Sequence, residues 1–335
     1  MARFALRWHY VLKWPYVLKW LGQLAGTLAA ASVLIFALLR VLPGDAASVA
    51  LGIHATPDAL ATWRQAHGTD RPLIVQYVNW LGGLVRGDFG TSFVSGQELT
   101  GLIVDRAQVT MLVVALALVV AVVAATVWGV LAARFHRSWL GSVISAVSGL
   151  GMAVPGFLVG VLLVGLFAVR LRWLPAGGWV PFDQDPVEFW RRIILPVLSL
   201  ATVQTAILTR YVRSSVVELM REDWVRTARA GGLTMPGLMR ARGLRHAAVP
   251  LVTMVGLQFS TLLIGAVVVE RVFVIPGLGS LLVDSVAHRD MQAVQGIVML
   301  LVTVMVVVGA AVEVAYRLLD PRLRGSRPGS VGGLA

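Results

Sequence analysis

The chain has 335 residues, of which 57% are hydrophobic and 14% are charged, and its mean hydropathy is +0.79. This composition lies outside the range of soluble domains and indicates an integral membrane protein. The absence of cysteine excludes disulfides, thiol catalysis and Cys-ligated metals. The formal net charge of +12 is interpreted as a topology signal and an attraction to anionic membrane lipid, not as nucleic-acid binding, because basic loops beside membrane spans are routine.

Six apolar runs are candidates to cross the hydrocarbon core, which takes about 20 residues of helix. They cover residues 20–41, 107–133, 140–169, 194–208, 247–269 and 294–315. The fourth is the shortest, and we expect Pro196 near its start because proline is favoured in the first helical turn. The chain is therefore divided into an interfacial N-terminus (1–19), a first span (20–41), an outer segment (42–106), a core of five spans (107–317) with an inner loop (210–246), and a tail (318–335). The predicted fold class is all-α integral membrane.

Charge orients these spans, since short cytoplasmic loops carry the excess of Lys and Arg. With the N-terminus inside, the inner segments hold eighteen Lys and Arg residues and the outer segments hold ten. Acidic residues are divided the other way, with four inside and twelve outside. We therefore expect both termini to be cytoplasmic in a multi-pass protein.

The outer segment is predicted to form short helices packed on the outer mouth. Residues 55–67 are expected to be helical, with Thr56 as N-cap and Pro57 in the first position. Residues 71–87 have an amphipathic pattern and are expected to form a helix at the membrane surface. The members of its apolar face are Ile74, Tyr77, Val78, Leu81 and Leu84. The sequence GDFGTSF that follows is a glycine-punctuated turn.

The third span contains Pro155-Gly156 in the middle of its apolar run, which predicts a kink. In the inner loop, Ser214 or Ser215 is a candidate cap for a charged helix that ends at Gly231-Gly232, where TMPG marks a turn. A second basic helix then leads to Pro250. The small residues before the two glycines permit close approach of another protein, so this helix is predicted to contact a cytoplasmic partner.

After the fifth span, Pro276, Gly277 and Gly279 predict a sharp re-entry followed by a short helix on the outer side. The spans are nearly free of ionisable groups, whereas ion-coupled carriers need buried carboxylates or His at mid-depth. The sequence contains no phosphate-binding loop of the Gly-rich Lys-Ser/Thr type. We predict no catalytic residue and no metal site, so a membrane-embedded enzyme is disfavoured.

Several motifs in order along the chain resemble one family. They are LPGD at 42–45, DRPLIVQYVNWLGGLVRGDFGTSF at 70–93, RTARAGGL at 226–233 with Pro250 downstream, VVVERVFVIPGLG at 267–279, and RD at 289–290. Together they resemble the permeases of ABC importers in the oligopeptide, dipeptide and nickel subfamily, and the long outer segment resembles the first of the two paired permeases. Three positions depart from the family pattern: Gly231 where Lys is common, His246 where Asn is usual, and Arg226 in place of an acid.

This resemblance implies a type I ABC importer permease fold in the bacterial cytoplasmic (inner) membrane. It implies a second homologous permease subunit, two ATPase subunits or one fused ATPase, and an extracytoplasmic substrate-binding protein. ATP and Mg would be bound by the ATPase partners, and this chain would carry no cofactor. Peptides are the expected substrates, with nickel chelates, glutathione or haem as alternatives, and a secondary transporter is the alternative mechanism.

The resemblance also implies roles for particular residues. An ATPase-coupling helix and its downstream proline comprise Arg226, Thr227, Ala228, Arg229, Ala230, Gly231, Gly232 and Pro250. Receptor docking or an outer gate is assigned to Asp88, Gly90, Thr91, Glu270, Pro276, Gly277, Gly279 and Asp290. Gln204 and Gln258 are path-lining candidates, with hydrogen bonding between helices as the alternative.

Overall fold

A computed structural model describes residues 14–41, 45–52, 54–232, 237 and 244–319. Every regular element in these ranges is helical, and the one bridge of β type joins Thr91 and Glu98. The helices are α1 (Trp14–Val41), α2 (Ala46–Leu51), α3 (Pro57–His67), α4 (Leu73–Val85), α5 (Leu99–Arg134), α6 (Trp139–Ala153), α7 (Gly156–Leu163, continued by a π-helical turn Val164–Arg170), α8 (Pro186–Leu219), α9 (Asp223–Ala230), α10 (Leu244–Val272), α11 (Leu278–Ala287) and α12 (Met291–Leu319). "Inner" and "outer" denote the sides predicted from charge.

The predicted spans match the long apolar helices. Five helices, α1, α5, α8, α10 and α12, are long and apolar enough to cross a membrane, and α6 with α7 forms a sixth candidate. The helices extend beyond the predicted apolar runs because their polar ends stay helical on either side of the hydrocarbon region. The fold therefore agrees with the six-span prediction.

The start of the fourth span was predicted in the wrong place. Pro196 lies in the interior of α8, which begins at Pro186 with Asp185 as its N-cap. The Asp185 carboxylate accepts hydrogen bonds from the backbone N–H groups of Val187 and Glu188, at 2.9 and 3.0 Å. A charged first part of the helix, containing Glu188, Arg191 and Arg192, hid this start from a search for apolar runs.

The third span is broken at Pro155, as the sequence predicted. The axes of α6 and α7 are bent by 101° at this point, because proline lacks the N–H that would continue the helix. Ser199 of α8 donates a hydrogen bond to the carbonyl oxygen of Gly156 at 2.8 Å. This hydrogen bond ties α8 to the first residue of α7, directly after the break.

Helix α8 lies at the centre of the bundle and packs along α5 over most of its length. The largest buried cluster joins α5, α8 and α10, and its α5 side is built from small residues, Ala117, Ala121 and Ala125. Gly129 continues this row, and its missing side chain leaves room for Val212. Small residues allow two helix backbones to approach closely, which is how helices associate in membranes.

The outer segment forms the predicted helices α3 and α4. The Thr56 hydroxyl accepts a hydrogen bond from Ala59 N at 3.3 Å, with Pro57 at the first position, so this cap prediction is confirmed. The predicted apolar face of α4 is only partly correct: Tyr77, Leu81 and Leu84 pack on α1 and α12 around Trp80. Ile74 and Val78 are exposed, since Trp80 turns the packed face away from them.

The inner segment differs from its prediction at one point. Ser214 and Ser215 lie inside α8, so neither caps a new helix, and the break falls later, between Leu219 and Asp223. The charged helix α9 then ends before Gly231-Gly232, as predicted. Residues 234–236 of the TMPG turn and the first six residues of the second basic helix, 238–243, fall outside the described residues. The rest of that helix, from Leu244 to Pro250, is continuous with the fifth span in α10.

The close contact of α5 with α8 gives a first prediction. A Cβ atom at Gly129 would lie 2.5 Å from Val212 Cβ and 3.0 Å from Thr209 O. We expect Gly129→Leu to destabilise the protein by about 1–3 kcal/mol or more through overpacking, measured as a lower apparent Tm in detergent. Gly101→Leu is the matched control, since Gly101 lies on the same helix with no atom within 4 Å of an added Cβ. Equal Tm values for the two variants would contradict this packing.

Candidate functional site

The first candidate site is the outer turn between α10 and α11, where the predicted residues Glu270, Pro276, Gly277 and Gly279 meet. Glu270 is fully buried and accepts hydrogen bonds from the Thr110 hydroxyl at 2.6 Å and from Ser280 N at 3.0 Å. A side chain on Gly277 would overlap its carboxyl group. The glycines are therefore required by close approach to a buried carboxylate.

This carboxylate occupies the position of a helix cap. The N-cap residue of α11 is Gly277, which has no side chain to bind the free N–H groups of the first turn. Glu270 accepts from Ser280 N, and the Thr110 hydroxyl oxygen accepts from Leu278 N at 2.8 Å. A carboxylate at a helix N-terminus is also favoured by the helix dipole. Two other helices thus supply the cap, which fastens α11 to α5 and α10.

A second buried carboxylate lies at the start of α12. Asp290, 6% exposed, accepts a hydrogen bond from the Ser92 hydroxyl and another from Phe93 N at 3.3 Å. Its other contacts are within its own turn, to Ala293 N at 3.3 Å and, through its backbone N–H, to Ser285 O at 2.8 Å. Asp290 therefore ties the GDFGTSF turn to the junction of α11 and α12.

The GDFGTSF turn has its own internal bonds. Asp88 accepts from Gly90 N at 2.8 Å, and Gly90 has a φ of +78°, a left-handed conformation that favours glycine. Gln292 of α12 donates to Phe89 O at 3.0 Å. Asp88 and Thr91 remain exposed, whereas Glu270 and Asp290 do not. The residues predicted for receptor docking thus all lie on the predicted outer side. Two of them, Glu270 and Asp290, are buried and stabilise this surface through hydrogen bonds instead of forming part of it.

An aromatic contact joins this turn to helix α3. The rings of Trp63 and His67 are stacked with centroids 3.9 Å apart, and Phe93 meets both edge-on. On the other side of α3, Arg64 forms an ion pair of 2.8 Å with Asp45, the N-cap of α2. The Arg64 hydrogen bond lowers the pKa of Asp45 below its ordinary value. Helices α2 and α3 and the turn therefore form a connected outer platform.

The second candidate site is α9, on the inner side. Val225 is 3% exposed and anchors the helix, whereas Thr227, Ala230, Gly231 and Gly232 are exposed. Ala228 is partly buried, and the side chains of Arg226, Arg229 and Pro250 lie outside the described residues. The result is a short helix that presents small residues.

Gly232 has a φ of +86°, and no atom lies within 4 Å of an added Cβ. Within this chain, position 232 therefore favours glycine because of its left-handed backbone conformation and not because space is short. A left-handed glycine is common directly after the end of a helix. Gly231 lacks this restriction: an added Cβ would meet Ala228 O at 3.5 Å, an ordinary contact. A substitution with a side chain is therefore expected to strain the backbone at Gly232 but not at Gly231.

The path-lining candidates Gln204 and Gln258 are each 5% exposed. The Gln258 side-chain oxygen accepts from the Thr261 hydroxyl one turn later at 3.0 Å, while that of Gln204 has no partner among the described residues. Neither glutamine faces an open path within this chain. Their role in a path stays a prediction.

Sequence reasoning missed Thr110 and Ser92, which bind the two buried acids. A lone Thr in an apolar span carries no signal of its own, since hydroxyls in such helices usually bond to the preceding turn. Ser92 was contained in the turn motif, but its partner is 198 residues away. Pairings of this range follow from the tertiary fold.

Comparison with known proteins gives consistent matches over most of the chain. Residues 16–115 match a model described as "Binding-prot-dependent transport system membrane comp, N-term", and residues 125–325 match one described as "Binding-protein-dependent transport system inner membrane component". The glutathione transport system permease protein GsiC of Escherichia coli (strain K12) is 37% identical over 298 residues, covering 89% of this chain and 95% of that protein. A "Probable peptide ABC transporter permease protein" of Sinorhizobium fredii is 34% identical over 297 residues, covering 89% and 95%.

A solved structure shares the fold. A chain from the inward-facing MetNI methionine ABC transporter superposes with a TM-score of 0.57 at 16% identity, covering 66% of this chain and 98% of that chain. At this identity the likeness concerns architecture alone.

The buried Glu270 network generates a prediction for this site. Glu270→Ala removes the acceptor for Thr110 and Ser280 N, and each buried donor left without a partner costs about 1–3 kcal/mol. We expect a lower apparent Tm and faster hydrogen exchange in α11. Glu98→Ala is the control, because Glu98 is exposed on the same side and its side chain makes no cap hydrogen bond. If α11 exchanges at the same rate in both variants, Glu270 does not fasten it.

Proposed function

The chain belongs to the binding-protein-dependent transport system inner membrane component family, and we propose that it imports peptides as one of two permease subunits driven by separate ATPases. The family confirms the resemblance drawn from the motifs and makes the chain an ABC importer permease. A permease of an ABC importer works with an ATPase, a second permease and a substrate-binding protein, and in this proposal all three are separate proteins. The proposal concerns what is carried and how these partners meet this chain.

The observation that carries the coupling proposal is the exposed helix α9. It follows directly from α8, the helix with the most extensive contacts in the bundle, and it is held to the chain through buried Val225. Its exposed small residues permit close contact with a second protein surface. We infer that residues 226–232, the end of α9 and the two glycines after it, bind to an ATPase subunit, so that closure of the ATPases moves α8.

The outer platform supports the proposed receptor contact. Helix α3 and the exposed residues Asp88 and Thr91 belong to one surface, which Asp290 and the Trp63–His67–Phe93 contact hold in shape. A preorganised surface loses little conformational entropy when a partner binds. This favours docking of a folded substrate-binding protein on the outer side.

The substrate class is proposed from the relatives. Two proteins that this chain resembles over most of their length carry peptide and glutathione in their names, and glutathione is itself a small peptide. Peptides are therefore the first choice, ahead of nickel chelates and haem. The described residues of the spans offer neutral side chains at mid-depth, so charged termini of a peptide would be carried with water or by the partner subunit.

Affinity purification of the full-length chain from its native membrane tests the proposed assembly. We expect mass spectrometry to identify a second permease, ATPase subunits and a receptor, with a peptide bound to the copurified receptor. A receptor loaded with a metal chelate or haem would replace the peptide assignment and leave the assembly intact. Purification of the chain alone, with transport activity after reconstitution by itself, would instead support a secondary transporter.

The coupling assignment is tested by contrasting substitutions at the two glycines. We expect Gly232→Trp to abolish ATP-driven uptake, because the side chain adds strain in a left-handed residue, about 1–2 kcal/mol, and bulk on the docking surface. Gly232→Asn should retain most uptake, since Asn tolerates this conformation, and Gly231→Ala should resemble wild type. Uptake and ATPase activity are measured at matched membrane levels of each variant. Wild-type uptake by Gly232→Trp would refute docking through α9.

A further inference from the structure

A cavity of about 240 Å³ opens between the inner end of α5, the second half of α6 and residues 209–213 of α8, apart from both sites described above. Its wall combines two cations, three hydroxyl groups and a few small or apolar residues. The lining residues are Ala132, Ser145, Ser148, Gly149, Met152, Thr209, Arg210 and Arg213. This set provides donors and positive charge without a carboxylate, so it is suited to an anion.

Two arginines give the cavity its charge. Arg210 and Arg213 are three residues apart on α8, a spacing that places side chains on the same helix face. No ion pair joins either of them to an acid among the described residues. The Nε atom of Arg213 is buried and has no hydrogen-bond partner there. A buried donor of this kind is costly unless it is satisfied, and a ligand oxygen in the cavity would satisfy it.

The hydroxyl groups add neutral donors around the same space. Ser145 and Ser148 bond to carbonyl oxygens of their own helix, Gly141 O at 2.6 Å and Ile144 O at 2.9 Å. A hydroxyl proton can rotate toward a stronger acceptor. Gly149 keeps the space open between them, since an added Cβ would meet no atom within 4 Å. The geometry therefore accommodates a tetrahedral anion with several oxygens.

The surroundings favour a lipid as the source of this anion. Val147 and Leu150, on α6 beside the cavity residues Ser148 and Gly149, are 61% and 69% exposed, which provides an apolar surface for an acyl chain. The cavity lies at the end of the bundle where charge predicts the inner leaflet. Basic pockets between helices at this level bind anionic head groups.

We propose that this cavity binds the phosphate group of an anionic phospholipid through Arg210 and Arg213. The phosphate accepts from both guanidinium groups and from the Thr209 and Ser hydroxyls, while an acyl chain lies along α6. Arginine favours phosphate because its planar donors match the oxygens. The bound lipid braces α6 against α8, a few turns before α8 gives way to α9. This inference is independent of the transported substrate.

The test uses the full-length chain, with the subunits that copurify with it, in phosphatidylcholine nanodiscs. A photoactivatable phosphatidylglycerol probe is added as a minor component, and labelled peptides from α6 and α8 are quantified by mass spectrometry. We expect stronger labelling there than with a phosphatidylcholine probe of the same design. Arg213→Gln should reduce the labelling about fivefold, the ratio for the loss of about 1 kcal/mol from one Arg at an anionic membrane surface.

Two pairs of variants separate the cavity from the general bilayer surface. Arg137→Gln makes the same charge change at an exposed inner site outside the cavity and should leave the labelling unchanged. Gly149→Leu fills the cavity and should abolish it. Gly309→Leu, on α12 with equally open surroundings, should not affect it.

Three results would overturn the proposal. Equal labelling by the phosphatidylcholine probe, or labelling that survives both Arg213→Gln and Gly149→Leu, would mean ordinary bilayer contact. Loss of the label on adding inorganic phosphate at its cytoplasmic concentration would mean that a free anion, not a lipid, occupies the cavity in the cell. Absence of label from α6 and α8 in the wild-type protein would leave the cavity without a lipid ligand.

Discussion

The buried Glu270 carboxylate is the contact on which the outer half of the structure depends. It joins α10, which carries it, to α5 through Thr110 and to α11 through Ser280 N. A charge in this position would be unfavourable without partners, and here its hydrogen bonds are also the missing cap of α11. The same contact dictates glycine at position 277, since any side chain would occupy the space of the carboxylate. One interaction thereby fixes the turn, the helix start and the packing of three helices.

Helix α8 connects the two ends of the molecule. Asp185 caps it on the outer side, small residues of α5 pack along it, and it continues past the membrane-crossing part to Leu219. From Ser199 to Leu219, after the interior proline Pro196, α8 has no further proline, so its backbone hydrogen bonds can connect the inner end of the helix to Ser199 without a break. The break between α8 and α9 then separates this stiff element from the helix proposed to contact an ATPase. Motion at the inner end would therefore reach the α6–α7 break at Pro155 through Ser199.

Local sequence signals predicted the elements they control directly. The kink at Pro155, the cap at Thr56 and the helix end at Gly231-Gly232 follow from single residues whose backbone preferences are strong. The errors arose where tertiary packing overrides a local preference: Pro196 lies within α8, and Ser214 continues it. Thr110 could not be found because its role depends on a carboxylate brought close by folding. The family motifs contain residues of both candidate sites, but only the structure shows that the Glu270 and Asp290 side chains are buried beneath the outer surface.

The distribution of charge suggests why the chain divides its work between its two ends. Four of the predicted spans, at 107–133, 140–169, 194–208 and 247–269, contain no ionisable residue, and the buried carboxylates lie at the outer turns. A neutral bundle has no internal group with which to couple transport to ion binding. This fits the proposal that separate ATPases supply the energy through α9, while the outer platform contacts the receptor. The buried caps on the outer side and the break between α8 and α9 on the inner side are the structural features on which this proposed division rests.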